Sequence, residues 1–253
     1  VRFALVQIYE ERCLDALPYL KSALEKEVDV VLLPEKWTPK TDENVIKNGE
    51  SAFLKLLERL SEEYSAVLVS GALYEDFSNK KFLSSYVFQE GKLVGVARKI
   101  HPFMNEKHEV EAGEELLLFD YKGVKLGLLI CYDLDFPETV RLFALKGCDM
   151  LLVPAKVVKQ AIEAWLIYVQ ARVLENRLPL AYANVFQPPF FNGKSALVDM
   201  KTEDSSVIVL PRIQIATEEK GVYIFETHAE QFRELRKKRL SDRNLKVDRL
   251  FKE

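Results

Sequence analysis

Glu27-Val-Asp-Val-Val-Leu-Leu-Pro-Glu35 and Gly147-Cys-Asp-Met-Leu-Leu-Val-Pro-Ala155 share the pattern Asp-x-x-Leu-x-Pro, and the reading of the fold turns on that match. Each stretch is a short apolar run closed by proline, the pattern of a strand buried on both faces. The likeness extends upstream, where Val1-Arg-Phe-Ala-Leu-Val-Gln-Ile8 lines up with Val124-Lys-Leu-Gly-Leu-Leu-Ile-Cys131. Buried strands can resemble one another by chance, but the shared Asp and Pro go beyond apolar similarity. The chain therefore reads as an α/β protein made of two pseudo-symmetric halves. A repeat of this size suggests two similar sheets packed across a pseudo-twofold axis, with helices outside.

Strands and helices alternate around these anchors. In the first half, strands are expected at 1–8, 28–33 and 66–73 and helices at 14–26 and 52–63. A hairpin follows, 82–89 and 92–100 about a Glu90-Gly91 turn. In the second half, strands are expected at 124–131, 150–153, 181–186, 195–199, 206–210 and 222–225. A helix at 137–146 starts on Pro137, whose missing N–H has no partner to lose in a first turn, and stops at Gly147. Ile162, Leu166, Val169 and Val173 mark one face of a longer helix. No Gly/Ser/Pro-rich linker interrupts this order, so residues 1–253 are expected to form a single domain.

Of 253 residues, 48% are hydrophobic and 30% charged, enough for a large core without disulfide or metal support. A formal charge of −3 gives no general pull toward nucleic acid or an anionic membrane. The only basic concentration, Arg233-Glu-Leu-Arg-Lys-Lys-Arg239, reads as a solvated helix face. Cys13, Cys131 and Cys148 cannot all pair and show no Cys-x-x-Cys spacing, which suits a reducing, cytoplasmic setting. The first residues form an apolar strand-like run rather than signal-peptide architecture, and no apolar stretch reaches membrane-spanning length.

Ligands in open α/β sheets bind beyond the carboxyl ends of strands. Cys131 and Glu35 each follow a buried strand, one in each half, so one strand-end cleft can hold both. Cys131 lies on a tight strand-to-helix connection, where backbone N–H groups can face a thiol. A buried, inert cysteine is the commoner fate of the residue type, and it is assigned to Cys148, expected within a core strand, and to Cys13. Desolvation of Glu35 after its apolar run would raise its proton affinity and suit a general base, although a surface acid would look the same. Lys99 follows Leu93-Val-Gly-Val-Ala97, with Arg98 a rival on the opposite strand face. His101, His108 and His228 lack zinc-type spacing, but a Cys–His pair using His101 or His108 stays open. No Gly-x-Gly-x-x-Gly or Walker pattern points to a nucleotide.

Three blocks now stand out: Leu32-Leu-Pro-Glu35, Arg98-Lys-Ile-His-Pro-Phe103 and Gly127-Leu-Leu-Ile-Cys-Tyr-Asp-Leu-Asp-Phe-Pro-Glu138. In order and separation they resemble the signature blocks of the nitrilase superfamily (carbon–nitrogen hydrolases), and Ala171-Arg-Val-Leu-Glu-Asn176 resembles its continuation. The resemblance implies a four-layer α-β-β-α sandwich that pairs into a homodimer or higher homo-oligomer, and a Glu-Lys-Cys triad of Glu35, Lys99 and Cys131. A second family glutamate, seven residues after the lysine, maps onto Glu106, with Glu109 and Glu111 competing in the same loop. The implied reaction is hydrolysis of a small linear amide or N-carbamoyl compound through a thioester, releasing ammonia, with no metal and no cofactor. The Tyr132 backbone N–H would help Lys99 hold the oxyanion, and Tyr132 and Ala155 are the substrate-binding candidates. A nitrilase acting on a C≡N group is one alternative. A non-catalytic binding protein is another, though binding alone would not require all three triad residues. The loops 156–160 and 187–193 are idiosyncratic, and Asp199-Met-Lys-Thr-Glu-Asp-Ser205 lacks the Pro and Gly common in that turn of the family, so specificity stays open. Glu138, Arg172 and Glu175 are expected to form a structural charge network.

Overall fold

In the computed structural model, which describes residues 1–203, 208–244 and 246, the apolar runs become the centres of two sheets. In chain order the strands are β1 (Arg2–Gln7), β2 (Val30–Leu32), β3 (Ile46–Lys47), β4 (Val67–Phe77), β5 (Lys80–Gln89) and β6 (Lys92–Arg98). Next come β7 (Leu117–Tyr121), β8 (Val124–Leu128), β9 (Met150–Ala155) and β10 (Leu180–Asn184). The small ribbon β11 (Phe186–Gln187) and β12 (Phe191–Asn192) precedes β13 (Ala196–Glu203), β14 (Ile208–Ile215) and β15 (Gly221–Glu226). The first sheet runs β15-β1-β2-β4-β5-β6, with β3 paired to β4; the second runs β7-β8-β9-β10-β13-β14. Both follow one design: an antiparallel flank, three parallel strands, then two antiparallel strands.

The two halves even share their register. Phe3 stands opposite Val30 and Leu5 opposite Leu32; Leu126 stands opposite Met150 and Leu128 opposite Leu152. The shared aspartate has the same task in each. Asp29 accepts the Arg2 N–H at 2.9 Å and Asp149 accepts the Lys125 N–H at 3.0 Å, satisfying a backbone donor at the start of the neighbouring strand.

Strand alternation then sorts the core into layers. Phe3, Leu5, Val30 and Leu32 pack between the sheets against Leu126, Leu128, Met150 and Leu152. Ala4, Val6, Val31 and Leu33 turn outward to α1 (Leu17–Leu24) and α2 (Ala52–Tyr64). Leu151, Val153, Leu180 and Tyr182 turn outward to α3 (Pro137–Leu145) and α4 (Ile162–Asn176). The result is the α-β-β-α sandwich.

Several elements differ from the sequence reading. The helix expected at 14–26 begins at Leu17, because Pro18 belongs in a first turn; Cys13–Ala16 forms a separate 3₁₀ turn. On α4, Trp165 takes the buried place expected of Leu166, which is half-buried. Cys148 is buried in the turn just before β9 rather than within a core strand. Of the strand expected at 206–210 and the turn 199–205, residues 204–207 lie outside the described residues. The basic run forms α5 (Arg233–Ser241) and is not simply a solvated face. Arg233 and Arg236 each donate to Asp149 at 2.6 Å, and Arg236 is buried.

Candidate active site

β8 ends at Leu128, three residues short of the expected Cys131, because the chain turns there. Cys131 opens a 3₁₀ turn to Asp135 with φ +46, a left-handed conformation that costs a non-glycine residue about 1–3 kcal/mol. Two buried side chains hold this elbow. Asp133 accepts the N–H groups of Ile130 at 3.1 Å, Ile100 at 3.1 Å and His101 at 2.7 Å, tying the elbow to the segment that carries Lys99. Arg172 of α4 donates to the carbonyls of Leu134 at 2.9 Å and Asp135 at 2.6 Å. Arg172 also pairs with Glu175 at 3.3 Å, whereas Glu138 is exposed and outside this network.

Glu35 sits at the equivalent strand end in the other half. Its N–H donates to the Ala155 carbonyl at 3.2 Å, so the strand ends of the two sheets are joined directly. β4 bulges to meet it: Gly71 has φ +70, and a Cβ there would collide with the Pro34 carbonyl and the Trp37 indole. Glu35 is 1% exposed. Lys99, past the end of β6, is equally buried and donates to Glu35 at 2.6 Å and to Glu106 at 2.8 Å. Arg98 points the other way, to Glu75 at 3.0 Å and the rings of Phe77 and Phe82.

Glu106 is the buried glutamate of its loop. It also accepts the Phe103 N–H at 2.8 Å and pairs with Lys36. Glu109 bonds exposed Lys40, and Glu111 is exposed. His101 is bonded to Asp133 and stacked on Phe136, and His108 is exposed; neither reaches the Cys131 cavity.

Glu35, Lys99, Cys131 and Glu106 line one cavity of about 220 Å³, with Tyr132, Lys156 and Trp165 among its walls. A hollow of about 440 Å³ elsewhere, beside Phe77 and Arg98, is lined by no cysteine. Ala155 does not line the cavity: it is fully buried with its carbonyl engaged, and the adjoining Lys156 takes the wall position. Lys36, Lys156, Asp133 and Trp165 were not singled out from sequence.

The charges set the protonation states. Burial opposes the Lys99 ammonium, but Glu35, Cys131 and Glu106 outweigh it and hold its pKa well above the usual range. Burial also works against the Glu106 carboxylate, and Lys99 and Lys36 overcome it, holding its pKa below the usual range. Burial and then the Glu35 charge push the Cys131 thiol well up, against the opposing pull of Lys99 and the Lys156 backbone N–H. Cys13 and Cys148, buried away from the cavity, are both pushed up to about 12, chiefly by burial.

A layered α/β sandwich with a thiol, a lysine and two carboxylates meeting at its strand ends defines a class, the nitrilase superfamily. The chain belongs to the carbon–nitrogen hydrolase family, whose model matches residues 9–237. It is similar to a 2-oxoglutaramate amidase of Bacillus subtilis, 31% identical over 167 residues that cover 63% of this chain and 64% of that protein. It is also similar to the omega-amidase NIT2-B of Xenopus laevis, 29% identical over 203 residues, 73% of this chain and 72% of that one. A probable nitrilase of Schizosaccharomyces pombe is 31% identical over 139 residues, 54% of this chain and 51% of that one. The chain thus matches only about half to two thirds of the length of these two curated relatives, the nitrilase and the Bacillus amidase. Saccharomyces cerevisiae Nit3, of the nitrilase superfamily, shares the fold with a TM-score of 0.79 at 23% identity, covering 99% of this chain and 97% of that one. An amidase from Nesterenkonia sp. AN1, solved with an acetamide moiety added covalently at its active-site cysteine, superposes at 0.79 and 22% identity over 100% and 97% of the chains. Among the described residues no helix is long and apolar enough to cross a membrane.

Proposed function

We propose that this chain is a thiol-dependent amidase that cleaves the C–N bond of a small linear amide or N-carbamoyl compound through a thioester. The observation that carries this reading is the buried Lys99 ammonium, bonded at once to Glu35 and Glu106 in the cavity of Cys131. Cys131 rests as a thiol, so a base must take its proton when substrate arrives, and Glu35 is the carboxylate beside it. The thiolate adds to the amide carbonyl. Lys99, held charged, and the Tyr132 backbone N–H stabilise the oxyanion, each such donor being worth about 3 kcal/mol. Glu35 passes its proton to the leaving nitrogen, the C–N bond breaks, and ammonia departs from the thioester. A water deprotonated by Glu35 then releases the carboxylic acid and restores the thiol. Glu106 keeps the Lys99 ammonium aimed.

The 2-oxoglutaramate amidase and omega-amidase relatives favour an amide, and the probable nitrilase of Schizosaccharomyces pombe keeps nitriles in the test. The cavity of about 220 Å³ would hold about seven waters' worth of liquid, the scale of a small amide. Ammonia release from a panel of amides, N-carbamoyl compounds and nitriles tests the proposal, with Cys131→Ala as control. Turnover of amides is expected; silence across the panel together with an unreactive Cys131 would refute it.

The same reading includes a homodimer formed through the outer helix layer, where Leu142, Leu145, Ile167 and Tyr168 expose apolar surface on α3 and α4. Light scattering should give at least twice the chain mass. Three free cysteines support a reducing compartment such as the cytoplasm.

A further inference from the structure

The Lys99 ammonium carries one positive charge between two carboxylates, Glu35 at 2.6 Å and Glu106 at 2.8 Å. Three groups buried this deeply would by themselves leave a negative charge uncompensated. Lys36 supplies the missing cation. Its Nζ pairs with Oε1 of Glu106, while Lys99 holds Oε2 of the same carboxylate. The Lys36 and Glu106 side chains are 22% and 8% exposed, so this is not the water-screened kind of ion pair that contributes little.

The backbone bends to make the contact. Strand alternation would turn Lys36 away from the cavity that Glu35 faces. Lys36 instead has φ +44, a left-handed conformation unfavourable for a residue with a side chain. Its N–H donates to the Ala72 carbonyl at 2.7 Å, and its own carbonyl accepts Lys156 Nζ at 3.0 Å. The next residue, Trp37, donates from its indole to the Ser70 carbonyl at 3.0 Å. With the bend fixed on both sides, the Lys36 side chain joins Glu35, Lys99, Glu106 and Cys131 on the cavity wall.

Burial opposes the Lys36 ammonium, but Glu35 and Glu106 outweigh it and hold its pKa above the usual range. The other titratable groups nearby are engaged elsewhere. Lys156 is bonded to the Lys36 carbonyl and has no carboxylate within ion-pair distance among the described residues. Lys40 pairs with Glu109 at 2.9 Å, and Asp135 lies in the field of Arg172. Burial pushes the Tyr74 phenol of β4 up, which keeps it uncharged.

Building on the amidase reading, we propose that Lys36 is a positioning residue of this site: its ammonium balances the second carboxylate, so that Glu35 and Glu106 are ionised together around Lys99. Without that charge the cluster takes up a proton. On Glu35 the proton removes the base; on Glu106 it removes the second anchor of Lys99.

The pH profile tests this. Lys36→Gly removes the charge at a backbone conformation that suits glycine, so the fold should survive. Lys36→Gln is a second neutral variant, and Lys36→Arg keeps the charge. Losing a neighbouring cation raises the proton affinity of the carboxylates left behind, so the acid limb of butyramide turnover should move up by about 1 pH unit in both neutral variants. On that limb kcat should fall about tenfold with KM within a few-fold, and turnover should recover toward wild type on the alkaline side. Lys36→Arg should keep the wild-type profile. Iodoacetamide alkylation of Cys131, read by mass spectrometry across the same pH range, reports on the cluster without a substrate and should show the same displacement. Coincident alkylation profiles in wild type and the neutral variants, a displacement that Lys36→Arg shows equally, or a loss of turnover uniform across pH overturns the inference. Displaced alkylation in a protein that hydrolyses no amide would instead leave the charge balance standing and overturn the amidase reading alone.

Discussion

The ends of β2 and β9 hold equivalent places in the two halves, yet they carry different chemistry. Both strands follow an aspartate that caps the neighbouring strand, and both pair in the same register. Past the shared proline one gives Glu35, whose carboxylate faces the cavity, and the other gives Ala155, whose carbonyl binds the Glu35 N–H. Their neighbours differ as well: Lys36 has its charge met by Glu106, whereas Lys156 has no such partner among the described residues. The asymmetry reverses one strand over. The chain beyond β8 reaches Cys131, and its counterpart beyond β1 is Ile8, an ordinary core residue. The repeat sets where the strand ends meet; the proposed chemistry rests on a carboxylate and a thiol placed in opposite halves.

Four experiments would break or sharpen this comparison. The largest effect is expected at the strand ends that carry chemistry. Cys131→Ala should lose about 10⁴-fold or more in turnover, as nucleophile deletions do, and Glu35→Gln should be comparably impaired. Near-normal ammonia release by Glu35→Gln would remove the distinction between Glu35 and Ala155.

The two capping aspartates should differ in stability. Asp149 holds buried Arg236 as well as Arg233, so Asp149→Asn should cost about 3 kcal/mol in denaturant unfolding. Asp29→Asn should cost about 1 kcal/mol, since it loses mainly single hydrogen bonds. Burial opposes the Asp149 charge, but the arginines and the Lys125 N–H hold its pKa below the usual range. Its stabilisation is therefore full above the unfolded carboxylate range and lost as pH falls through the depressed folded value. Asp149→Asn should flatten that acid limb, and an unchanged limb would show the latch to be inert.

Within the loop after Lys99, Glu106→Gln should lower turnover by about a hundredfold or more, while Glu109→Gln and Glu111→Gln stay within a few-fold of wild type. A mild Glu106→Gln would separate Lys99's aim from its second carboxylate. The smallest contrast concerns the thiols. Limited iodoacetamide labelling, mapped by mass spectrometry, should modify Cys131 about tenfold faster than Cys13 or Cys148, which lack both the cavity and a nearby ammonium. Faster labelling of either while activity persists would unseat Cys131.

The layered plan was readable because it rests on local signals: apolar runs, strand alternation and the proline and glycine that bound α3. The strand-end rule placed Cys131 and Glu35 in a common cleft, and the family resemblance supplied Lys99 and Glu106. Alternation would send Lys36 to the face opposite Glu35, but φ +44 at Lys36 redirects the backbone, and its side chain meets a glutamate 70 residues away. Trp165 displaced Leu166 because a helix face is wide, and only packing against β10 decides which apolar neighbour turns inward.

The sequence by itself determined two α/β halves and the two strand ends that carry Glu35 and Cys131, because each depends on residues adjacent in the chain. Tertiary structure alone decided that Asp133 and Arg172 clamp the elbow, that Ala155 is a support and not a contact, and that Lys156 bonds the Lys36 carbonyl with no carboxylate partner among the described residues. Those outcomes depend on hydrogen bonds and burial between residues 32 to 120 positions apart, and no local pattern encodes a partner at that distance.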